Sequence, residues 1–135
     1  MDSGVTPLRL PADRRVVCDL GCGAGRFLFR LCAKQPDAHF VGIEIRRALV
    51  EDINLEARRR AMDQVHAVYA NLLFDLETLL SPRSIDLITI NFPDPWFKRR
   101  HQNRRLANPE TTAGLVAALR PGGRLFFQSD IFSLT

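Results

Sequence analysis

The stretch from residue 92 to residue 106 carries more chemistry per residue than the rest of the chain. Asp94 lies between two prolines, which restrict the backbone and push Asp94 out of the helical region, so its carboxylate is held on a stiff, extended loop. Trp96 and Phe97 follow and offer flat faces on which a base can stack. Cationic side chains come next, with a histidine among them: Lys98, Arg99, Arg100, His101, Arg104 and Arg105. Interleaved aromatic and cationic side chains are typical of sites that bind single-stranded or looped RNA, although a solvated basic loop with a core tryptophan has the same composition.

The basic residues of this stretch account for the net charge of the chain. The chain has 19 Lys and Arg residues against 15 Asp and Glu residues, a formal charge of +4. Five of the 19 lie between positions 98 and 105, and without them 14 cations face 15 acids. The positive charge is therefore local, which predicts one polyanion-facing site and argues against non-specific adhesion over the whole surface.

A second chemical segment runs from Asp19 to Gly25. Gly21, Gly23 and Gly25 follow an apolar strand pattern and precede a helical one, where glycines let the backbone turn tightly against a ligand. The fingerprint of nicotinamide cofactor sites requires a glycine at position 26, where this chain has Arg26, so that class is disfavoured. Asp19 favours a cationic amino-acid group over a pyrophosphate, which it would repel.

The elements that must position these residues alternate between strand and helix patterns. The predicted strands cover residues 16–20, 39–45, 65–70, 84–92 and 124–128, and the predicted helices cover 26–35, 46–62, 72–80 and 108–120. Strands separated by helices form a parallel α/β sheet with helices on both faces, because parallel neighbours need crossover connections and those are right-handed.

A sheet of this kind binds ligands at the carboxyl ends of its strands, near the point where the strand order reverses. Five polar or acidic side chains follow or end the five predicted strands: Asp19, Glu44, Asn71, Asp94 and Asp130. Each alone is an ordinary loop residue, but together they predict a ligand site at one edge of the sheet. Glu44 is suited to accept hydrogen bonds from both hydroxyls of a ribose.

The length and composition define the broad class of the chain. Its 135 residues fit a single domain, and 46% hydrophobic with 25% charged residues is typical of a globular protein. No run approaches the ~18 apolar residues that a membrane span needs, so we expect a cytoplasmic protein without a membrane partner. Cys18, Cys22 and Cys32 are an odd number and paired Cys-x2-Cys knuckles are missing, which argues against disulfides and against a metal site.

Several motifs together resemble a known family. The segments Asp-Leu-Gly-Cys-Gly-Ala-Gly (19–25) and Gly-Ile-Glu (42–44) resemble the first two motifs of class I S-adenosylmethionine-dependent methyltransferases, and residues 119–125 resemble the entry to their fifth strand. Residues 92–106 are similar to the signature F-P-D-P-W-x-K-x-R-H-x-K-R-R of bacterial tRNA (guanine-N7)-methyltransferases. This sequence departs from the signature at Gln102-Asn103, where the family commonly has a variable residue followed by lysine. The resemblance covers roughly residues 16–130.

The resemblance implies a Rossmann-like class I methyltransferase domain that transfers a methyl group from S-adenosyl-L-methionine to N7 of a variable-loop guanine in tRNA. It implies a cofactor site formed by Asp19, Gly21, Gly23, Gly25, Glu44, Asn71 and Asp94. Asp94 is also the implied catalytic residue. The implied substrate-binding residues are Lys98 and Asp130. The other basic side chains between positions 98 and 105, which we call the basic segment, are expected to contact tRNA: Arg99, Arg100, His101, Arg104 and Arg105.

The family pattern continues beyond this chain, through two more strands and a Thr-x-Phe-Glu-x-Arg-Gly motif that contacts substrate. We therefore expect a five-stranded, incomplete sheet with an intact cofactor site and an incomplete tRNA site. Two alternatives stay open at this point. One is methylation of another nucleobase position, since residues 91–96 superficially resemble the Asn/Asp-Pro-Pro-Tyr motif of enzymes that act on exocyclic amines. The other is a catalytically inactive RNA-binding fragment. The sequence does not fix the oligomeric state.

Overall fold

The computed structural model describes residues 4–72, 74–92 and 109–129. Nine elements alternate along these residues: β1 (Val16–Leu20), α1 (Arg26–Lys34), β2 (His39–Glu44), α2 (Arg47–Arg59), β3 (Val65–Tyr69), α3 (Leu76–Leu79), β4 (Ile85–Phe92), α4 (Pro109–Ala118) and β5 (Leu119–Ser129). The strand–helix alternation predicted from the sequence is confirmed.

The five strands form one parallel sheet in the order β3-β2-β1-β4-β5. All five residues of the central strand β1 are buried, as expected for a parallel strand that is covered on both faces. The chain runs outward from β1 through β2 to β3, then returns to the other side of β1 and continues through β4 to β5. The strand order therefore reverses between β1 and β4, and their carboxyl ends define the crevice where such sheets bind ligands.

Helices cover both faces of the sheet, as predicted. One core cluster packs α1 and α2 on the sheet, with side chains that include Leu28, Phe29, Val50 and Ile53. The cluster on the opposite face contains Leu79 of α3 and Leu115 and Ala118 of α4. Three apolar side chains of the N-terminal segment pack against this cluster: Val5, Leu8 and Leu10. The fold class assigned from the sequence is thus confirmed, including its five parallel strands.

Several predicted boundaries are wrong, and the helix expected over 46–62 covers only Arg47–Arg59. The helix expected over 72–80 is only Leu76–Leu79, because the buried side chain of Asp75 accepts a hydrogen bond from the backbone N–H of Asn71 at 2.7 Å and forms a turn before the helix. The helix expected over 108–120 ends at Ala118, and β5 begins at Leu119 rather than at residue 124. A register irregularity between Ile85 and Leu87 lets β5 absorb its Pro-Gly-Gly segment.

An arginine on β5 fastens the N-terminal segment to the sheet. The guanidinium of Arg120 donates to a carboxylate oxygen of Asp86 and to the carbonyl oxygens of Arg14 and Pro11, each at 2.7 Å. The same Asp86 oxygen accepts from the backbone N–H of Val16 at 2.8 Å. These contacts lie at the amino ends of β1 and β4, opposite the carboxyl edge of the sheet.

Over the described ranges, no helix combines the length and the apolar character that crossing a membrane requires. Cys18, Cys22 and Cys32 are free and buried.

Candidate functional site

The glycine loop joins β1 to α1 with three glycines in the left-handed region, Gly21 at φ 71°, Gly23 at φ 59° and Gly25 at φ 80°. Other residues rarely adopt these torsions, so the glycines fix the path of the loop. The backbone N–H groups of Gly21 and Cys22 donate to the carbonyl oxygen of Ile43 at 2.8 and 3.1 Å. The loop is thereby fastened to the carboxyl end of β2.

Two close approaches explain why glycine is required around this loop. A Cβ atom on Gly25 would lie 3.0 Å from Cγ1 of Ile53 on α2. A Cβ atom on Gly42 would lie 2.5 Å from the sulfur of Cys22 and 2.7 Å from Cδ1 of Leu28. Gly42 thus allows the loop and α1 to rest directly on β2.

Glu44 lies at the end of β2 and is only 3% exposed. Its Oε1 accepts from the backbone N–H of Gly23 at 2.9 Å, and its Oε2 accepts from Nε of Arg46 at 2.7 Å and from the backbone N–H of Arg46 at 3.1 Å. Burial alone would raise the pKa of Glu44, but the hydrogen bonds from Arg46 and Gly23 outweigh it and the pKa is lowered. Glu44 is therefore an oriented, ionised acceptor beside the glycine loop.

Asp19 lies one strand away, at the carboxyl end of β1, and is completely buried. The Thr89 hydroxyl on β4 donates to its Oδ1 at 2.6 Å. Burial raises the pKa of Asp19 to about 7; the Thr89 hydrogen bond acts in the opposite direction, and the charge of Glu44 adds to the rise. Two carboxyl groups at one edge therefore differ in charge behaviour, with Glu44 firmly ionised and Asp19 close to its titration point near neutral pH.

Asn71 follows β3, and its position is fixed by the turn that Asp75 holds. Besides the bond from its own N–H to Asp75, the carbonyl oxygen of Asn71 accepts from the N–H groups of Phe74 and Asp75 at 3.2 and 2.8 Å. The preceding residue, Ala70, donates its N–H to the carbonyl oxygen of Glu44 at 3.2 Å. Asn71 is thus held at the same edge as Glu44.

The structure brings six of the predicted cofactor residues to this edge: Asp19, Gly21, Gly23, Gly25, Glu44 and Asn71. The remaining predicted site residues lie outside the described residues, and their roles stay predictions: Asp94, Lys98, Arg99, Arg100, His101, Arg104, Arg105 and Asp130. Within the described ranges, no three His, Cys, Asp or Glu side chains form a group that could hold a metal ion.

Sequence reasoning missed four residues of the site. Gly42 could have been found from the sequence, because it belongs to the Gly-Ile-Glu motif (42–44). Arg46 could have been suspected, because it lies two residues after Glu44. Thr89 and Asp75 had none, because each acquires its role only through the partner it meets in the fold, Asp19 and Asn71 respectively.

Comparison with solved structures supports the fold. The structure resembles geranyl diphosphate C-methyltransferase from Streptomyces coelicolor A3(2) with a TM-score of 0.65 and 18% identity, over 86% of this chain and 39% of that one. It resembles a geranyl diphosphate methyltransferase with a TM-score of 0.64 and 21% identity, over 90% of this chain and 38% of that one. At these identities, the likeness concerns the fold alone.

Comparison of sequences identifies the family of the chain. Residues 13–135 match the model of a family described as "Putative methyltransferase". The tRNA (guanine-N(7)-)-methyltransferase of a Synechococcus strain is 48% identical over 113 residues, which is 84% of this chain and 47% of the relative. The enzyme of the same name from Synechococcus elongatus is 42% identical over 125 residues, 90% of this chain and 59% of the relative. The chain thus spans about half the length of the curated relatives it matches.

The sheet order, the glycine loop and the acid that ends β2 define a Rossmann-like domain of the class I methyltransferase type. The chain belongs to the methyltransferase family that includes its tRNA (guanine-N7)-methyltransferase relatives. The resemblance predicted from residues 92–106 is confirmed.

Proposed function

We propose that this chain is the cofactor-binding part of an enzyme that transfers a methyl group from S-adenosyl-L-methionine to N7 of a variable-loop guanine in tRNA. The observation that carries the proposal is the contact between the glycine loop and Glu44, where Gly23 N lies 2.9 Å from Oε1 at the ligand-binding edge of the sheet. The names of the related enzymes support the same substrate.

The residues of this edge fit the chemical parts of that cofactor. When bound, S-adenosyl-L-methionine supplies an electrophilic methyl group on a positively charged sulfur. Glu44 is ionised and suited to accept hydrogen bonds from ribose hydroxyls. Ile45 is 49% exposed and places apolar surface next to Glu44, where an adenine ring can pack. The guanidinium of Arg47 lies over the ring of the neighbouring Tyr69 at 4.1 Å. Asn71 adds an amide, and Asp19 adds negative potential beneath the glycine loop for the ammonium group.

Methylation at guanine N7 makes modest demands on the protein. N7 has a lone pair and carries no proton, so no general base is required. The protein has to hold N7 in line with the methyl group and stabilise the positive charge that develops on the base. We assign the electrostatic role to Asp94, because it follows the carboxyl end of β4 by two residues and that end borders the crevice.

The tRNA is held by the remaining predicted residues. Asp130 accepts from the exocyclic amine of the guanine, and Lys98 contacts the substrate within the same motif as Asp94. The other cations of the basic segment neutralise phosphates that flank the target base: Arg99, Arg100, His101, Arg104 and Arg105. A tRNA substrate assigns the activity to the cytoplasm.

The test is methyl transfer to a tRNA transcript, with the modified position mapped by mass spectrometry. We expect 7-methylguanine in the variable loop, and no product when that guanine is replaced by 7-deazaguanine, which lacks the accepting nitrogen. Asp94→Ala should abolish turnover while S-adenosyl-L-homocysteine binding falls only partly. Glu44→Gln should weaken binding of the same ligand by about tenfold or more, because it removes a charged acceptor.

Glu56→Gln is the matched control for the glutamate variant, since Glu56 on α2 takes part in exposed pairs with Arg59 and Arg60 and lies away from the site. A methyl group on an exocyclic amine would identify the other class of nucleobase enzyme. RNA binding that ignores the cofactor, without any methyl transfer, would identify an inactive RNA-binding module. Either result would overturn the proposal.

A further inference from the structure

We propose that Thr89 is a positioning residue for the cofactor, whose hydroxyl holds the Asp19 carboxylate in the orientation and charge state that attract the ammonium group of the cofactor's amino-acid end. This inference rests on the proposed function. Thr89 belongs to none of the motifs that point to the site from the sequence.

The register of the sheet places the two side chains together. Asp19 on β1 and Thr89 on β4 are direct partners in the parallel ladder, so their side chains emerge on the same face of the sheet. Oγ1 of Thr89 lies 2.6 Å from Oδ1 of Asp19, a short hydrogen bond of the kind that a hydroxyl makes to a carboxylate. The pair sits at the reversal of strand order, directly before the glycine loop.

Burial makes this hydrogen bond consequential. Asp19 and Thr89 are 0% and 2% exposed, so water does not compensate for a lost donor. Burial raises the pKa of Asp19 to about 7, while the hydroxyl of Thr89 favours the ionised form and opposes that rise. Removal of the hydroxyl should therefore leave more of Asp19 neutral at pH 7, and a neutral Asp19 no longer attracts an ammonium group.

The other charged and titratable groups around Asp19 do not change their protonation state near neutral pH. Glu44 at the end of β2 adds negative charge, and its lowered pKa keeps it ionised. The thiols of Cys18 on β1 and Cys22 in the glycine loop have raised pKa values and stay neutral. Arg46 faces Glu44 and Cys22 and remains protonated. Among these described groups, Asp19 alone changes charge between pH 6 and pH 8.

Two ligands isolate the effect. S-adenosyl-L-homocysteine carries the ammonium group, whereas 5′-methylthioadenosine shares the nucleoside and the sulfur but lacks the amino-acid end. For the unmodified chain, affinity for S-adenosyl-L-homocysteine should rise about tenfold from pH 6 to pH 8, as expected when one group near pKa 7 must ionise. Affinity for 5′-methylthioadenosine should stay constant over the same range.

The variants then test the hydroxyl. Thr89→Val preserves the shape and should weaken S-adenosyl-L-homocysteine binding about fivefold at pH 7, with the difference from the unmodified chain closing near pH 9. Thr89→Ser restores a hydroxyl and should restore the pH profile. Ser84→Ala is the matched control, because it removes a hydroxyl that donates to the Ser81 carbonyl oxygen at 2.7 Å just before β4. It should leave the profile unchanged.

Circular dichroism at each pH confirms that a variant is folded before its affinity is interpreted. A flat S-adenosyl-L-homocysteine profile in the unmodified chain would overturn the inference even if Thr89→Val fails to fold. An unchanged profile in a folded Thr89→Val variant would also overturn it, as would an equal loss for 5′-methylthioadenosine. Absence of binding for both ligands would overturn the proposed cofactor itself, which separates that failure from a failure of the Thr89 assignment.

Discussion

Glu44 and Asp19 have carboxyl groups of similar chemistry, but their partners give them different electrostatic roles. Glu44 is paired with a guanidinium and a backbone N–H, so its charge survives burial. Burial raises the pKa of Asp19 to about 7, and the hydrogen bond that Asp19 accepts from the neutral hydroxyl of Thr89 opposes this rise only in part. The charged donor and the backbone N–H outweigh burial at Glu44, whereas the single hydroxyl does not outweigh burial at Asp19, so the charge of Asp19 depends on pH.

The Arg46 side chain keeps Glu44 ionised and oriented as a hydrogen-bond acceptor. The Arg46→Met variant tests whether cofactor affinity depends on this contact. Loss of the 2.7 Å bond leaves Glu44 less oriented and less strongly ionised, so affinity for S-adenosyl-L-homocysteine should fall. Because the Arg46 side chain is 55% exposed, solvent screening limits the effect to about tenfold, or ~1.4 kcal/mol. Isothermal titration calorimetry at pH 7.5 measures it.

Arg59→Met is the control for Arg46→Met, since Arg59 donates to Glu56 at 2.9 Å on an exposed face of α2. It removes an arginine–glutamate pair of the same kind without touching the glycine loop. Equal affinities for the two variants would contradict the positioning of Glu44 by Arg46. Tighter binding by Arg46→Met would show instead that the guanidinium competes with the ribose hydroxyls.

At the scale of elements, α2 protects one of the two outer strands of the described sheet, β3. β3 pairs only with β2 among the described strands, which leaves outward-facing backbone groups on its other side. The Asn54 side chain on α2 accepts from the N–H of Ala67 at 2.8 Å and donates to its carbonyl oxygen at 3.0 Å. The amide thus takes the place of one residue of a neighbouring strand.

Asn54→Leu should therefore destabilise the domain. The substitution keeps the size of the side chain but leaves the N–H and C=O of Ala67 without this partner, at an expected cost of about 1–3 kcal/mol in the free energy of unfolding. Urea unfolding followed by circular dichroism measures the change. Gln64→Leu removes an exposed amide bond to the Pro36 carbonyl oxygen at 3.0 Å and should cost less. Equal costs would show that the edge contact adds nothing beyond an ordinary surface hydrogen bond.

The sequence predicted elements well where the signal was local. β1 and β4 are predominantly apolar, β-branched runs, and the glycine spacing marks the loop without reference to the rest of the chain. Helix boundaries failed where one side chain decided the outcome, as when Asp75 binds the N–H of Asn71 and delays α3. Thr89 could not be identified because its role depends on a register with Asp19, 70 positions away in the chain.

At the scale of the whole molecule, the two chemical segments of the sequence follow neighbouring strands, β1 and β4. The glycine loop leaves β1, and the basic segment begins six residues after the end of β4, the neighbour of β1 across the reversal of strand order. Chain connectivity alone therefore links the proposed methyl-donor site to the main concentration of positive charge. Under the proposed function, recognition of a polyanion and placement of the methyl group would occur in one binding event.

This link predicts how tRNA affinity responds to salt. If all five Lys and Arg residues between positions 98 and 105 contact phosphates on a looped strand, the slope of log K against log salt should be about −3.5, because each contact releases a counterion. Arg104→Gln combined with Arg105→Gln should reduce the slope to about −2. Fluorescence anisotropy with labelled tRNA, from roughly 50 to 200 mM KCl, measures both slopes.

The paired variant Arg59→Gln and Arg60→Gln is the control for this salt dependence, because it removes the same amount of charge from α2, where both arginines bind Glu56. If the basic segment carries the phosphate contacts, the control keeps the slope of the unmodified chain. If the two double variants lower the slope equally, the positive charge acts as a diffuse field over the surface. The local polyanion site predicted from the charge distribution would then be wrong, while the cofactor site at the carboxyl edge would stand, because its described contacts are made by residues of β1, β2, β4 and the glycine loop.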